Sequence, residues 1–405
     1  MKISIVGAGI SGLLSAFYLV REGYEIEIFE KSARAGGLIQ TTHSPFGPLE
    51  NGAASLLNSF EVQNLFDELE ISAAKPGPRA GARYIYRDFP RRWPLNLNQS
   101  MRFFVGSARL VFSPEKGLQD GQTVRQWGQK NFGKQASSLL IETALQGVYA
   151  GDAEHMSAEL VLGPMLKKTN KIKGFRRNRH KCEEMPDGGM GNLISALVFY
   201  LENEGVKIHY GSEIKGEDID LSNPWIIATP ILAAGKLLAG MGIEGGGELQ
   251  THEMLDLTSI HLVFENSPLP FDGVGCLFPN SEGFNSLGVL TGQSAFPDQF
   301  NREVERWFIG GALSKNIVNL SENELVDLVL ADRQRMSKEK RNPSAVHVFS
   351  NPSALPHFTN DLARNRKNLA LPKNLFLLGN YTAGIGLTSI HRQCRDLPSQ
   401  MQSSD

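Results

Sequence analysis

The hydrophobic pattern changes period twice near the start of the chain. Lys2 to Val6 is a short run rich in β-branched apolar residues, which predicts a buried strand. From Leu13 to Glu22 the apolar residues recur at helical spacing, and Gly23 closes the predicted helix. Glu25 to Phe29 alternates again and predicts a second strand. This order is typical of the first half of a Rossmann-like α/β domain.

A glycine-rich turn joins the first strand to the helix. The first glycine of a G-x-G-x-x-G turn allows a tight bend, the second lets main chain approach a pyrophosphate, and the third lets the helix pack closely on the strand. The helix N-terminus directs unpaired N–H groups at the phosphates. The carboxylate that ends the second strand suits an adenosine ribose hydroxyl and disfavours a 2′-phosphate. The spacing therefore predicts a dinucleotide site made by Gly7, Ala8, Gly9, Ile10, Ser11, Gly12 and Glu30.

A second glycine pair distinguishes FAD from NAD. Arg34 offsets phosphate charge, and Gly36 and Gly37 let the chain run close to the dinucleotide. Together with Glu30 and Leu38 this segment resembles the E-x-x-x-R-x-G-G motif of the flavin-containing amine oxidase superfamily. The resemblance implies FAD as cofactor.

The later pattern predicts a discontinuous cofactor domain. We expect a loop over Thr41 to Pro48, and then a second approach to the flavin through Gly52, Ala53, Ala54 and Ser55. Nucleotide-fold patterning returns after about residue 182, where Gly188 and Gly189 open a helix, a strand runs on to Ile214, and Trp225 begins another strand. The glycine-dense end suits main chain lying against a flat ring, at Gly379, Asn380, Ile385, Gly386 and Leu387.

Two other regions have different patterns. Residues 101–165 are helical, with clear periodicity over Val124 to Phe132 and Ala136 to Gly147. Short strands over 249–360, with one clear helix from Glu322 to Lys338, predict a largely antiparallel sheet. We therefore predict an α/β fold with a Rossmann-like FAD-binding domain (1–75, 182–248 and 366–405), an α+β substrate domain (76–92 and 249–365) and an inserted helical lobe (93–181).

Composition and charge limit the functional classes to which the protein can belong. The chain has 405 residues with 41 basic and 43 acidic side chains, so the formal charge of −2 does not call for nucleic acid. The three cysteines lie far apart without metal-type spacing, and we expect reduced thiols and no metal. No apolar run approaches ~20 residues, so no membrane span is predicted. Because the first strand starts at residue 2, we expect no signal or transit peptide and a cytoplasmic protein.

Two segments are compatible with contact to a membrane surface, and each also has another interpretation. The basic run from Leu166 to Lys181 suits either an anionic surface or, as we favour, a solvated loop. Apolar residues of the helical lobe suit either a peripheral membrane patch or, again favoured, a packed core. They are Phe103, Phe104, Val105, Leu110, Val111 and Phe112.

Several distant stretches together resemble the oxygen-dependent protoporphyrinogen oxidases. The most specific is Gly147-Val148-Tyr149-Ala150-Gly151-Asp152 with Met156-Ser157, similar to the family's G-[VI]-[YF]-A-G-[DN]…L-S motif. Others are Arg83-Tyr84-Ile85-Tyr86, Gly188-Gly189-Met190, Gly275-Cys276-Leu277-Phe278-Pro279, Phe308-Ile309-Gly310-Gly311 and Leu378-Gly379-Asn380-Tyr381. The order is collinear over nearly the whole chain. Two departures are the bulky, basic segment after Leu387 and Val274, where eukaryotic relatives often have an aromatic residue.

The resemblance implies oxidation of protoporphyrinogen IX to protoporphyrin IX in haem biosynthesis. Hydride passes to the flavin, and dioxygen accepts the electrons with release of peroxide. By family match the substrate slot is lined by Gly147, Gly275, Leu277 and Phe308, and Arg83 binds a propionate. No catalytic side chain is assigned beyond the flavin. A homodimer and a partner that receives the porphyrin are also expected on this basis.

Three alternatives remain open. Coproporphyrinogen III carries extra propionates, which Arg87, Arg91 and Arg92 could also bind. A quinone could replace dioxygen as acceptor. A protein of a different class would bind FAD without oxidising porphyrinogens, either as an amine oxidase or as a redox-neutral flavoprotein; flavin reduction by a porphyrinogen separates this class from the oxidase.

Overall fold

The computed structural model describes residues 1–112, 118–169 and 183–402. Its strands, in chain order, are β1 (Lys2–Val6), β2 (Glu25–Glu30), β3 (Thr41–Ser44), β4 (Gly47–Glu50), β5 (Leu56–Leu57), β6 (Arg83–Arg87), β7 (Phe89–Arg91), β8 (Glu183–Glu184), β9 (Lys207–Tyr210), β10 (Trp225–Ile227), β11 (Met254–Phe264), β12 (Gly275–Leu277), β13 (Ser286–Thr291), β14 (Glu303–Gly310), β15 (Ala345–Pro356) and β16 (Leu375–Leu377).

Helices occupy much of the remaining described chain. They are α1 (Ile10–Arg21), α2 (Phe60–Glu68), α3 (Leu97–Phe112), α4 (Val124–Phe132), α5 (Lys134–Ala136), α6 (Thr143–Tyr149), α7 (Ala158–Thr169), α8 (Met190–Asn203), α9 (Ile231–Gly240), α10 (Gly246–Gln250), α11 (Gly292–Ala295), α12 (Glu322–Ser337), α13 (Asn360–Asn368), α14 (Asn380–Ala383) and α15 (Leu387–Gln402).

The chain divides into two compact units. One consists of Met1–Ala74, Cys182–Glu253 and Arg364–Asp405, and we call it the nucleotide unit. The other consists of Lys75–Lys181 and Met254–Ala363, and we call it the sheet unit. The predicted helical lobe lies inside the sheet unit. The α/β fold with a Rossmann-like first segment is as predicted.

The nucleotide unit is built on a parallel sheet. Its strand order is β16-β10-β1-β2-β9, so the first strand of the chain lies at the centre. One face carries Ile3, Ile5, Ile26 and Ile28, which belong to a core that also contains residues of α1, α8 and α15. Since neighbouring parallel strands end at the same edge, the segments after β1, β2, β10 and β16 meet there.

The sheet unit is built on a seven-stranded sheet with the order β15-β11-β14-β13-β12-β6-β7. All neighbours pair antiparallel except β12 with β6. One face packs against α12 through a core that includes Trp307, Phe278, Leu325 and Val329. Successive side chains alternate between faces, so residues such as Leu277 and Phe308 lie on the opposite face.

Two predicted elements differ in the structure. The predicted loop over Thr41 to Pro48 is wrong, because β3 and β4 form a hairpin there. Its tight turn is held by Ser44, whose hydroxyl accepts from the Phe46 N–H at 3.1 Å and donates to the Gly47 carbonyl at 2.7 Å. The predicted helix from Ala136 to Gly147 contains a π-helical stretch over Ser137–Glu142.

The core interpretation of the helical lobe is also wrong for four residues. Phe104, Val105, Val111 and Phe112 of α3 are exposed, at 60%, 52%, 68% and 85%. The buried residues of this helix are Gln99 and Gly106 instead. A Cβ at Gly106 would lie 2.1 Å from the Asn131 carbonyl oxygen, so α3 contacts α4 through its main chain. The apolar side chains therefore point away from that contact.

Candidate functional site

The glycine turn after β1 has no room for a side chain at two of its glycines. Gly7 has φ of +103°, and a Cβ there would lie 2.8 Å from the Ala228 carbonyl oxygen. A Cβ at Gly12 would lie only 1.9 Å from the Gly7 carbonyl oxygen, because the first turn of α1 packs directly on the bend. Both glycines are therefore required by the protein itself.

Gly9 differs from these two glycines. Its φ is −71° and its ψ is 175°, which any residue adopts. A Cβ at this position would meet nothing within 4 Å. Folding does not require glycine here, whereas close approach of a ligand to the N-terminus of α1 does. This open cradle fits a dinucleotide phosphate, and it is the observation that best supports the predicted cofactor.

Glu30 lies beside this turn. Its carboxylate accepts from the Ala8 N–H at 2.8 Å and from the Ser32 N–H at 2.9 Å. The side chain is buried, so it is fixed at the carboxyl ends of β1 and β2, where a ribose hydroxyl would lie. Ile214 follows β9 on the same side, since the nearby Ser212 N–H donates to the Glu30 carbonyl at 2.9 Å.

The second glycine pair packs against the first turn. The Gly36 N–H donates to the Ala8 carbonyl at 2.8 Å, and Gly36 pairs with Gly9. Arg34 is exposed and its guanidinium donates to carbonyl oxygens of its own loop, at Ala35 (3.1 Å) and Gly37 (2.9 Å). Leu38 is 44% exposed. Arg34 thus holds this loop in shape through main-chain oxygens.

The segment after β4 is held by contacts with α8 and with the chain at Leu38. The buried Glu50 carboxylate accepts from the Met190 N–H at 2.7 Å and from the Thr41 hydroxyl at 2.9 Å, so it caps α8. A Cβ at Gly52 would lie 2.3 Å from the Leu38 carbonyl oxygen. Ala53 and Ala54 follow, half-buried, and the Ser55 hydroxyl donates to Glu183 at 2.6 Å. Glu50 was missed because its role depends on residues far along the chain.

The last glycine segment is anchored by α13 and α15. The Thr382 carbonyl accepts from Arg366 at 2.8 Å, and the Thr382 hydroxyl lies 3.0 Å from Gln393. Tyr381 is buried, which raises the pKa of its phenol above the usual range. Gly379 and Asn380 follow β16, and Ile385, Gly386 and Leu387 precede the body of α15. Every predicted cofactor residue therefore lies in the nucleotide unit.

The atypical C-terminal segment forms a long helix against α1. The Cys394 thiol donates to the Ser11 carbonyl at 3.4 Å, and the Tyr18 hydroxyl lies 2.6 Å from His391 Nε2. Burial, reinforced by Arg395, lowers the pKa of His391 to about 4, and burial raises the pKa of Tyr18 to about 12. Both groups stay neutral at ordinary pH. The helix thus fixes the first turn of α1, where the phosphates are expected.

The predicted substrate residues all lie in the sheet unit. Arg83 starts β6 and is exposed, and it pairs with Gly275 on β12. Leu277 follows two residues later on the same face, and a Cβ at Gly147 would lie 2.4 Å from its Cδ2. Leu277 pairs with Gly288, which in turn pairs with Phe308 of β14. The sheet thus brings together side chains that are up to 225 residues apart, from Arg83 to Phe308.

Comparison with known proteins matches this arrangement. The family model described as an NAD(P)-binding Rossmann-like domain matches residues 5–69. A protoporphyrinogen oxidase of Arabidopsis thaliana, chloroplastic/mitochondrial, is 23% identical over 97% of this chain and 92% of its own length. The predicted resemblance is confirmed. A coproporphyrinogen III oxidase of Bacillus subtilis is 22% identical over 88% of this chain and 87% of its own length.

Solved structures agree on the fold. Cyclohexylamine oxidase from Brevibacterium oxydans is 15% identical and superposes with a TM-score of 0.72, covering 99% of this chain and 98% of that one. The chain therefore shares the fold of this amine oxidase. By sequence the chain is similar to porphyrinogen oxidases, and by fold it is similar to an amine oxidase.

The apolar residues of α3 form one stripe. Leu97 and Met101 are exposed like the four residues already described. At 3.6 residues per turn, all six fall within about 120° of the helix circumference. Arg102 and Arg109 border the stripe on one side, and both are exposed. Within the described residues, no helix is long and apolar enough to cross a membrane. Most of the basic run from Leu166 to Lys181 lies outside the described residues.

Proposed function

We propose that this protein oxidises a porphyrinogen to the porphyrin, with FAD as cofactor and dioxygen as acceptor. Protoporphyrinogen IX is the substrate that the sequence predicts, and the Arabidopsis relative supports it. Coproporphyrinogen III is the second candidate, favoured by the Bacillus relative. The observation that carries the proposal is the shared sheet face of Arg83, Gly275, Leu277 and Phe308.

This face suits a broad, largely apolar ring system. A Cβ at Gly275 would lie 2.5 Å from the Val289 carbonyl oxygen, so no side chain rises from that position. Gly288 is equally confined, with Leu277 Cδ2 at 3.1 Å from its ideal Cβ. Leu277 and Phe308 are half-buried and present carbon to one side of the sheet. Arg83 supplies a guanidinium at the rim, which binds a carboxylate in a charge-assisted pair.

FAD supplies the hydride acceptor when bound. The residues that would hold it are those of the cradle at Gly9, the fixed carboxylate of Glu30 and the segments at Gly36, Gly52 and Gly379. The sheet face orients the macrocycle and excludes water from it, while the dioxygen reaction releases hydrogen peroxide after each two-electron step.

An anaerobic titration tests this proposal. The purified holoprotein is mixed with protoporphyrinogen IX or with coproporphyrinogen III, and the flavin absorbance band is recorded. We expect bleaching by at least one of them, followed by porphyrin fluorescence and peroxide when air is admitted. A flavin that neither porphyrinogen reduces would contradict the proposal and would favour an amine oxidase or a redox-neutral flavoprotein. If reduced flavin persists in air but is reoxidised by a quinone, dioxygen is the wrong acceptor.

We also propose that the α3 stripe rests on an anionic membrane surface. Six exposed apolar side chains along one helix would bury apolar area in the headgroup region, and the arginines beside them would meet phosphates. Cosedimentation with phosphatidylglycerol vesicles tests this proposal. We expect the double variant Phe104→Ser, Phe112→Ser to lose binding, whereas Phe199→Ser, which changes a phenylalanine of α8 that is 68% exposed, retains it. Equal binding by all three proteins, or none by the wild type, contradicts the proposal.

A further inference from the structure

The long strand β15 forms one edge of the seven-stranded sheet. It pairs with β11 on one side, and no strand of the described chain pairs with it on the other. Its first part, from Ala345 to Asn351, contains no charged residue, no proline and no glycine. None of the residues in this part is buried, and Val346 is 38% exposed. Natural edge strands usually carry charges or prolines that prevent pairing with another chain, and this part of β15 lacks them.

The register of the sheet shows which main-chain groups of β15 point outward. The Gly311 N–H donates to the Asp256 carbonyl at 2.9 Å, so even-numbered residues of β11 bond to β14 and odd-numbered ones to β15. Odd-numbered residues of β11 pair with odd-numbered residues of β15, which therefore bond inward. The main-chain N–H and C=O groups of Val346, Val348 and Ser350 thus point away from the sheet. Within the described residues they have no hydrogen-bond partner.

This free stretch of edge has defined ends. Pro343 comes just before it and has no N–H to donate. At the other end, Pro352 is followed by Ser353, which has φ of +53° and donates its N–H to the Asp256 carboxylate at 2.6 Å. The pairing with β11 is irregular at the same place. These features limit regular pairing along the outer edge to residues 345–351.

The stretch is complementary to itself. Val348 lies at its centre, with one outward-bonding residue two positions away on each side. In an antiparallel copy with Val348 opposite Val348, Val346 of each chain lies opposite Ser350 of the other. Each of the three pairs then makes two N–H···O=C bonds. His347 falls opposite Phe349 in a pair of the other kind, where side chains approach most closely, so the two rings are brought into contact.

We propose that this edge of β15 pairs with the same edge of a second copy of the chain, joining two sheet units through one continuous sheet. Charge favours a second copy over an unrelated peptide. Lys340 is exposed before the start of the stretch, and the Asp256 carboxylate lies beside its end. Antiparallel pairing places the start of one strand near the end of the other, so these opposite charges approach. The proposal does not depend on the activity proposed above.

Two-fold symmetry sets the size of the assembly. An interface in which the same surface is used by both chains closes on itself, so the assembly stops at two chains. Size-exclusion chromatography with light scattering, run on the holoprotein over a range of concentrations, tests this. We expect a dimer that dissociates on dilution.

A proline at position 346 tests the role of the outward N–H groups. Val346→Pro removes one outward N–H from each chain without removing a bond to β11, and proline is tolerated at such edge positions. We expect the dissociation constant to rise at least about 10-fold, because two of the shared hydrogen bonds are lost. The matched control is Val346→Thr, which keeps the N–H and the branched side chain and should dimerise like the wild type.

Cysteine substitution tests the register. Val348→Cys places two thiols on directly opposed residues, and we expect more disulfide-linked dimer than in the wild type under mild oxidation. In Val346→Cys the two thiols lie four residues apart along the strands, or about 14 Å, which is too far for a disulfide. Linkage of this control should therefore not exceed that of the wild type. Equal linkage of the two variants would contradict the register.

Other outcomes overturn the proposal as a whole. They are a wild type that is monomeric at every concentration, a wild type that forms larger assemblies, and a dimer that Val346→Pro leaves unchanged. If Val346→Pro fails to fold, as judged by circular dichroism, Val346→Lys is compared in the same way, since a charge on the edge also opposes pairing. A dimer that this variant leaves unchanged would equally exclude the edge of β15 as the interface.

Discussion

The cradle at the start of α1 and the sheet face shared by Arg83, Gly275, Leu277 and Phe308 are built in opposite ways. The cradle is made of main chain from consecutive residues, and its shape comes from the absence of side chains at Gly7, Gly9 and Gly12. The sheet face is made of residues on strands that are far apart in sequence, and only strand pairing brings them together. A main-chain site tolerates little local change, whereas a side-chain site can change specificity one residue at a time.

The largest expected effect is at Gly12. In Gly12→Val the new Cβ would lie 1.9 Å from a main-chain oxygen, which cannot move without opening the bend after β1. We expect the nucleotide unit to be destabilised by at least about 4 kcal/mol, with little FAD retained on purification. Thermal denaturation and the flavin-to-protein absorbance ratio measure this. Gly247→Ala, where a Cβ would meet nothing within 4 Å, is the control and should melt like the wild type.

The sheet unit should respond most to loss of a buried charge. Arg333 of α12 pairs with Glu305 of β14 at 2.8 Å, and the two side chains are 1% and 3% exposed. Burial raises the pKa of Glu305, although Arg333 opposes the shift. Removing the arginine would therefore leave a buried carboxyl group without its cationic partner. We expect Arg333→Leu to cost about 3–5 kcal/mol in urea unfolding.

The neighbouring Arg335→Leu is the comparison for this variant, since Arg335 bonds the Gly283 carbonyl near the surface. Its cost should stay below about 1 kcal/mol. Similar costs for the two variants would show that side-chain burial does not govern the stability of the sheet unit.

Acid should weaken the nucleotide unit through the contact between α15 and α1. The pKa of His391 is lowered to about 4, below its ordinary value of 6.5, so the unfolded chain takes up a proton first as pH falls. Stability is fully present above about pH 6.5 and is lost as the pH falls towards 4, by about 3 kcal/mol. Urea unfolding at several pH values measures the slope. His391→Gln should flatten it, and an unchanged slope would assign the acid sensitivity to another group.

The smallest effect on folding is expected at Gly9, and it separates the two glycine roles. Gly9→Ala should change the free energy of unfolding of the apoprotein by less than about 0.5 kcal/mol, because its Cβ would lie in open space. FAD affinity should nevertheless fall at least about 10-fold, since that space is where the phosphates approach. Isothermal titration of the apoprotein measures this. Unimpaired FAD binding would mean that the cofactor does not use this cradle.

The sequence predicted the cradle more directly than the sheet face, for a physical reason. A strand, a glycine turn and a helix are local, and their spacing alone specifies Gly7, Gly12 and Glu30. The shared face of Arg83 and Phe308, by contrast, depends on how β6, β12, β13 and β14 pair. Strand register is not written in any short stretch of sequence.

Two other features that the sequence did not predict also depend on contacts between distant residues. The hairpin of β3 and β4 has no turn glycine pair, and it is held instead by the serine hydroxyl at its bend and by the long-range cap of Glu50 on α8. The exposed stripe of α3 has the periodicity of an amphipathic helix, and periodicity cannot say which face meets the protein. Only the close contact at Gly106 decides that.

The strand order of the nucleotide unit also bears on how the protein is made. β1 is synthesised before its neighbour β10, and β10 before its neighbour β16. The long intervening stretch containing β11 to β15 is synthesised before that edge strand is available. The parallel sheet therefore keeps an unpaired edge while the strands of the other unit are being made, which makes it a natural client for chaperones.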